Sequence, residues 1–310
     1  MTARNARVRM TLLMLCALLM LTSCVPKESA PQTKALRVCT SFFPIYALAE
    51  RIVRDVPDIS LSNLVQPQDG CIRNYTMSEW DIAQIASTDV MIIAGRGLET
   101  FEDALVSGQS DVAVITLLSG MELIGQDEVA EDGTDAHMHG ENPWVFLSPS
   151  GAGLMCAVIA GRMAELDPAN EALYAANAEA AQTEIDSLHA DMQSVLIDAE
   201  VEPVVLMHEG LAYLTESLGL LEGCRIAREP GTALYENDMN ETLSQIALSG
   251  AKVILIEQQA PDAMVMPLIG AGYRVVKIDT LTTFAIDAVF DDYIDTMRGN
   301  AERIAAAMGS

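Results

Sequence analysis

Apolar residues along the chain switch between short continuous runs and helix-spaced faces, and the switching predicts alternating strands and helices. Leu36 to Cys39 is a short apolar run. Pro44 then stands where a helix accepts proline, with Ile45, Leu48, Ala49, Ile52 and Val53 on one face. Ile59 to Val65 predicts a second strand, and Gln66 to Tyr75 is a loop rich in turn formers. Ser78 with Asp81 three residues on predicts a capped helix start, with Met77 and Ile82 placed as a hydrophobic staple. Val90 to Ala94 and Val112 to Leu117 complete a first parallel β/α lobe. Residues 131–142 (EDGTDAHMHGEN) form an acidic loop, and helix spacing then holds from Ser150 to Ile197 except near Asp167-Pro168. The segment from Pro168 predicts one helix of about 28 residues, roughly 40 Å long. The second half repeats the alternation, with strands at Pro203–Met207, Cys224–Ala227, Lys252–Ile256 and Arg274–Ile278. One helix there is opened by Asp238 with Glu241 and closed by Gly250, and a last helix runs through Met297 to Met308. The pattern predicts an α/β protein: a first lobe over 36–150, a helical linker with a rigid backbone helix over 151–200, a second lobe over 201–310, and a cleft between the lobes.

The first residues change the picture of where this domain works. Arg4, Arg7 and Arg9 precede an apolar run from Met10 to Leu21, the plan of a secretory signal and too short to span a bilayer as a helix. Leu21-Thr22-Ser23-Cys24 resembles the lipobox of bacterial lipoproteins, which implies a lipid on Cys24 and a new N-terminus there. Residues 24–35 are then a polar, proline-containing tether holding the domain at the extracytoplasmic face of the membrane. Removing residues 1–23, with three Arg and no acidic residue, moves the net charge from -26 to -29. So acidic a chain repels nucleic acid and suits cations or basic patches on a transporter. Cys39, Cys71, Cys156 and Cys224 are too sparse for a disulfide framework.

Ligands in open parallel sheets bind beyond the carboxyl ends of strands. The first half offers Cys39, the loop through Arg73, and Gly95-Arg96-Gly97; the second offers His208 with Glu209, Glu257 and Asp279. An imidazole and carboxylates at three strand ends of one lobe suit a divalent cation. Enzyme signatures fail. His208-Glu209 begins like a zinc-protease helix, but position 212 is Ala. There is no G-x-S-x-G elbow, and the glycines at 95 and 97 lack the third glycine of a nucleotide fingerprint. The expectation is a binding protein, with a hydrolase as the weakest alternative.

Several segments in order resemble the zinc/manganese-type substrate-binding lipoproteins of metal ABC transporters, the helical-backbone class. They are TSFFPIYALAERI after the first strand, GRGLE at 95–99, NPWVFLSP at 142–149, ELDP with NEALYAANA around Pro168, and PVVLMHEGLAYL at 203–214. REP at 228–230, VILIE at 253–257, IDTL at 278–281, and Tyr293, Met297 and Asn300 complete the set. The resemblance implies a monomer that captures Zn²⁺ or Mn²⁺ between its lobes and delivers it to a membrane permease. It implies four metal ligands, of which His208 matches the third and Asp279 the fourth. The first two are normally His, in G-x-x-x-H-x-Y and DPHVWLDP. This chain reads GCIRNY, with Arg73 or Asn74 at the first, and NPWVFLSP, with Trp144 at the second. Two readings stay open. Metal is retained on His208, Asp279 and Glu257, with Cys71 as replacement donor and Cys39, Asp69, His137 and His139 as auxiliaries. Alternatively Arg73, Trp144 and Arg96 face a small organic or chelated ligand, or the fold serves as an adhesin-like surface protein.

Overall fold

The computed structural model describes residues 35–65, 72–106, 112–125, 141–226 and 236–308. Four parallel strands form the first sheet, β1 (Leu36–Thr40), β2 (Ile59–Asn63), β3 (Val90–Ile93) and β4 (Ala113–Thr116), in the order β2-β1-β3-β4. The second repeats the plan with β5 (Val204–Leu206), β6 (Glu222–Arg225), β7 (Val253–Glu257) and β8 (Arg274–Ile278), in the order β6-β5-β7-β8. The strands stand within two residues of where the apolar runs predict them; most are trimmed or moved by one residue, and β6 lies two residues earlier, at Glu222–Arg225 rather than Cys224–Ala227. Between the strands lie helices α1 (Phe43–Val53), α2 (Glu79–Ala86) and α3 (Glu102–Val106) in the first lobe. The second has α6 (Leu211–Ser217), α7 (Glu236–Ser249) and α8 (Asp262–Gly270). The predicted cap of α2 is present: Asp81 N–H donates to Ser78 Oγ, and Ser78 N–H donates to Asp81 Oδ2 at 2.7 Å. The staple is not closed on the core, since Ile82 stays exposed.

The helical middle is two helices, α4 (Pro149–Leu166) and α5 (Glu171–Ser194). The long helix has 24 residues rather than the predicted 28, because Pro168–Asn170 is a 3₁₀ turn. At 1.5 Å per residue it spans about 36 Å. Its buried positions, Tyr174, Ala181, Ile185, Leu188 and Met192, form one stripe. That stripe packs on α4, α1 and the last helix, α9 (Phe290–Met308). Two polar links fix it to α1. The Arg51 guanidinium pairs with Glu184 at 2.8 Å, and Asn177 Nδ2 donates to the carbonyls of Ile52 and Arg54 at the end of α1. The side chain thus supplies donors that the helix terminus lacks.

One hydrophobic core joins both sheets, and this decides which side chains meet. Val38, Val90 and Ile92 face it from the first sheet, and Val204, Leu206, Val253, Leu255, Val276 and Ile278 from the second. The outer faces carry separate clusters: Cys39, Met91 and Ile93 in the first lobe, and Val205, Ile254, Ile256 and Val275 in the second. Period-two alternation produces this sorting. Among the described residues no helix is long and apolar enough to cross a membrane.

At the carboxyl ends of β1 and β3 the chain turns through Gly95-Arg96-Gly97, all three at positive φ (85°, 59° and 74°). A Cβ on Gly95 would strike Thr116 Cγ2 at 2.2 Å, so glycine is required there on two counts. The turn points its amides at carboxylates. Gly95 N–H and Ala94 N–H donate to Glu99 at 2.9 and 2.7 Å, Ser41 Oγ donates to it at 2.7 Å, and Gly97 N–H donates to Glu102 at 2.8 Å. The GRGLE segment is a carboxylate cradle that ties the ends of β1 and β3 together. Burial pushes the Glu99 carboxyl up from its ordinary range, with the Ser41 hydroxyl and the two amides pulling the other way. Glu99→Ala leaves three donors without their acceptor and should cost about 2–3 kcal/mol in urea denaturation, whereas Glu102→Ala, at the exposed rim, should cost under about 1 kcal/mol.

Candidate functional site

The second sheet's register assembles the site. Leu206 lies opposite Leu255, so the chain just past β5 carries His208 alongside Glu257, the last residue of β7. Both side chains project from the face that meets the shared core. His208 is 4% exposed and Glu257 5%. The Gly210 amide donates to His208 Nδ1 at 3.0 Å. Nδ1 is therefore the acceptor nitrogen, and Nε2 carries the hydrogen that faces Glu257 Oε1 at 2.9 Å. Burial works against the imidazolium, but the charge and hydrogen bond of Glu257, with Glu209 adding to them, outweigh it. Arg73 opposes, and the net result raises the His208 pKa above its ordinary 6.5.

Beside this pair lies a second polar group. The Arg73 guanidinium pairs with Glu209 Oε1 at 2.9 Å, with both side chains nearly buried at 13% and 11% exposure. The same carboxylate oxygen accepts the Trp144 indole N–H at 2.8 Å. Trp144 is 1% exposed, and its ring meets the His208 ring edge-on with centroids 4.4 Å apart. Asn142 Nδ2 donates to the Glu209 carbonyl at 2.8 Å, and Tyr213 Oη donates to the Asn142 carbonyl at 2.8 Å. The first lobe's contribution to the cleft is therefore a cation and an indole donor, both aimed at a carboxylate of the second lobe.

The expected set of donors is only partly brought together. His208 and Glu257 meet. Asp279 follows Ile278, which ends β8 and pairs with Glu257 of β7, so it stands one strand further from His208 in the sheet order. Asp279 Oδ1 accepts the Leu281 amide at 2.8 Å, and its backbone is bracketed by Asn300. Burial raises the Asp279 carboxyl pKa, while the Leu281 amide and Arg303 pull it down. Cys39 faces the outer cluster of the first lobe, with Gln84 Nε2 at 3.4 Å from its sulfur, and burial pushes its thiol up. The alternation of β1 places it away from the cleft. Arg96 is exposed, bonds Glu141 at 2.7 Å, and reaches the carbonyls of Leu118 and Met121. Trp144 is packed and hydrogen-bonded, so its ring is not an open stacking platform. Cys24, Asp69, Cys71, His137 and His139 lie outside the described residues. Among the described residues no group of three or more His, Cys, Asp or Glu side chains is placed to hold a metal ion.

The family profile for the zinc-uptake complex component A, periplasmic, matches residues 38–307. The chain belongs to that family. Its function is the family's, an extracytoplasmic solute-binding component of a metal-uptake ABC transporter. Over 285 residues it is 25% identical to the high-affinity zinc uptake system protein ZnuA of Bacillus subtilis, covering 87% of this chain and 86% of that protein. It is 28% identical to the ZnuA of Brucella abortus over 281 residues, 79% of this chain and 83% of that one. The fold is shared with the Pseudomonas aeruginosa binding protein FpvC solved with Mn²⁺, at a TM-score of 0.76 and 24% identity, over 89% of this chain and 99% of that one.

Glu209, Asn142, Gly210 and Tyr213 complete the site and were not singled out as ligands from sequence. The signal for Glu209 was its place directly after a strand end. For Gly210 there was none, because its constraint is tertiary: a Cβ there would lie 2.7 Å from the Cβ and Cγ of Trp144 and 2.9 Å from Leu147 Cδ1. Gly210→Ala should push Trp144 off Glu209 and cost about 1–3 kcal/mol. The chain has two tryptophans and Trp80 is 63% exposed. The red shift of the buried component of emission, measured in a Trp80→Phe background, therefore reports Trp144 alone.

Proposed function

We propose that the mature chain, anchored through a lipid on Cys24, captures a divalent cation (Zn²⁺ or Mn²⁺) in the cleft and hands it to a permease, by binding and without catalysis. His208 and Glu257 are the nucleus of the site. The supporting observation is the 2.9 Å separation of His208 Nε2 and Glu257 Oε1. Zinc bonds of about 2.0–2.1 Å at a tetrahedral angle put two ligand atoms about 3.3 Å apart. A metal ion in place of the shared hydrogen therefore asks for a shift of only a few tenths of an ångström. Burial on both sides favours a desolvated ion over a hydrated one. Further donors in this reading are Cys71, next to the turn that carries Arg73, and His137 and His139 as auxiliary ligands. Asp279 stays in this reading as a further carboxylate donor, which gives up the Leu281 amide to reach the ion.

The lipid-anchored state is supported by the lipobox-like Leu21 to Cys24 and the short polar tether. A binding role rather than a catalytic one is supported by the absence of any nucleophile–base pair in the sequence motifs. The acidic balance of the chain suits docking on basic permease surfaces.

The test is chelator-competition titration with Zn²⁺ and Mn²⁺ on protein lacking residues 1–24. Dissociation constants should lie below about 10 μM, near -7 kcal/mol. His208→Ala, Glu257→Gln and Asp279→Asn should each weaken binding by at least about tenfold. Failure of both metals to bind, or equal binding by His208→Ala, overturns the reading. A metal displaces a proton from imidazole. Because the His208 pKa is raised above 6.5, protons begin to compete above that pH. Apparent affinity should therefore decline on acidification from pH 8 to 6, and the decline should start at lower pH in Glu257→Gln, which loses the partner that raises it.

A further inference from the structure

The cleft already contains a cation. Arg73 sits on the turn Ile72–Asn74 of the first lobe and reaches Glu209 of the second at 2.9 Å, with little solvent to screen the pair. Its charge bears on His208 as well, where it opposes the two carboxylates. The oxygen it holds is also held by Trp144, so two donors from the first lobe fall on one acceptor of the second. Glu209 and Glu257 both bear on His208, and the guanidinium is the positive charge that opposes them. With the guanidinium present, Glu209 is neutralised in its own ion pair, and His208 and Glu257 are left to one another.

We propose that Arg73 is a resident cation that competes with the cargo for Glu209, so that capture requires the guanidinium to release that carboxylate and the carboxylate to become a further ligand. This rests on the metal reading above and assigns the residue that sets its affinity. The exchange conserves charge locally: a dication enters beside Glu209 and Glu257 as the monocation withdraws toward solvent, and no covalent bond changes. Ions that gain little from a further hard oxygen ligand are left without it, so the exchange also selects for cations that bind carboxylate strongly.

The experiment compares Zn²⁺ affinity by chelator competition at one pH and salt concentration in wild type, Arg73→Gln, Arg73→Lys, Glu209→Gln and the double variant Arg73→Gln/Glu209→Gln. Melting curves followed by circular dichroism establish that each is folded. The expected result is a tightening of about tenfold or more in Arg73→Gln, little change in Arg73→Lys, and loss of the gain in the double variant. A merely structural Arg73 would lower the melting temperature in Arg73→Gln without tightening Zn²⁺ binding. If Arg73→Gln equals wild type while His208→Ala loses binding, the resident-cation proposal is overturned and the metal reading stands. If wild type binds no metal but Arg73→Gln does, the proposal stands and capture by the native chain falls. If no variant binds, both fall. Should Arg73→Gln fail to fold, Glu209→Gln decides: about tenfold weaker binding supports the proposal, and unchanged binding overturns it.

Discussion

A carboxylate removed from water needs a counter-charge or several donors close by, and Glu209 takes both from the opposite lobe. Arg73 supplies the charge and Trp144 an indole hydrogen, on the same oxygen. Breaking one partner of such a pair leaves an uncompensated buried charge, which costs far more than the pair contributes. The contact therefore ties the two lobes together across the cleft. Neighbouring features follow from it: Gly210 has no side chain because Trp144 must pass over it, and Asn142 and Tyr213 hold the loop that delivers the indole.

The same economy of buried charge recurs in both lobes. Glu99 is satisfied by two backbone amides of a left-handed turn and a hydroxyl, in a segment whose two glycines would otherwise read as a phosphate-binding fragment. Asp279 is satisfied by the backbone of its own turn and bracketed by Asn300 from α9. His208 and Glu257 differ: they satisfy one another, through a hydrogen that a metal ion can replace. This is why the pair, and not Glu99, is the nucleus of the proposed cation site.

The helical spine gives this arrangement its stiffness. The α5 stripe packs against α1, α4 and α9, while Arg51 and Asn177 tie α1 to α5 through polar contacts. A shared core runs through both sheets and joins the two lobes.

Much was legible in the sequence because strands and helices are local. Short apolar runs and helix-spaced faces mark the elements of both lobes, Ser78 with Asp81 marks a cap, and His208, Glu209 and Glu257 stand visibly after strand ends. The departures at Arg73 and Trp144 were legible too, as residues in places where imidazoles were expected. What the chain alone could not reveal was which of these groups meet. That depends on strand order, which puts β5 beside β7 and leaves β8 one strand beyond, and on alternation, which turns His208 and Glu257 to one face and Cys39 to an outer one. It depends also on the approach of the first lobe, which sets a guanidinium and an indole on Glu209. Local periodicity determines an element from its own residues, but a site assembled from distant segments exists only once hydrogen-bonded register and buried charge have been satisfied together.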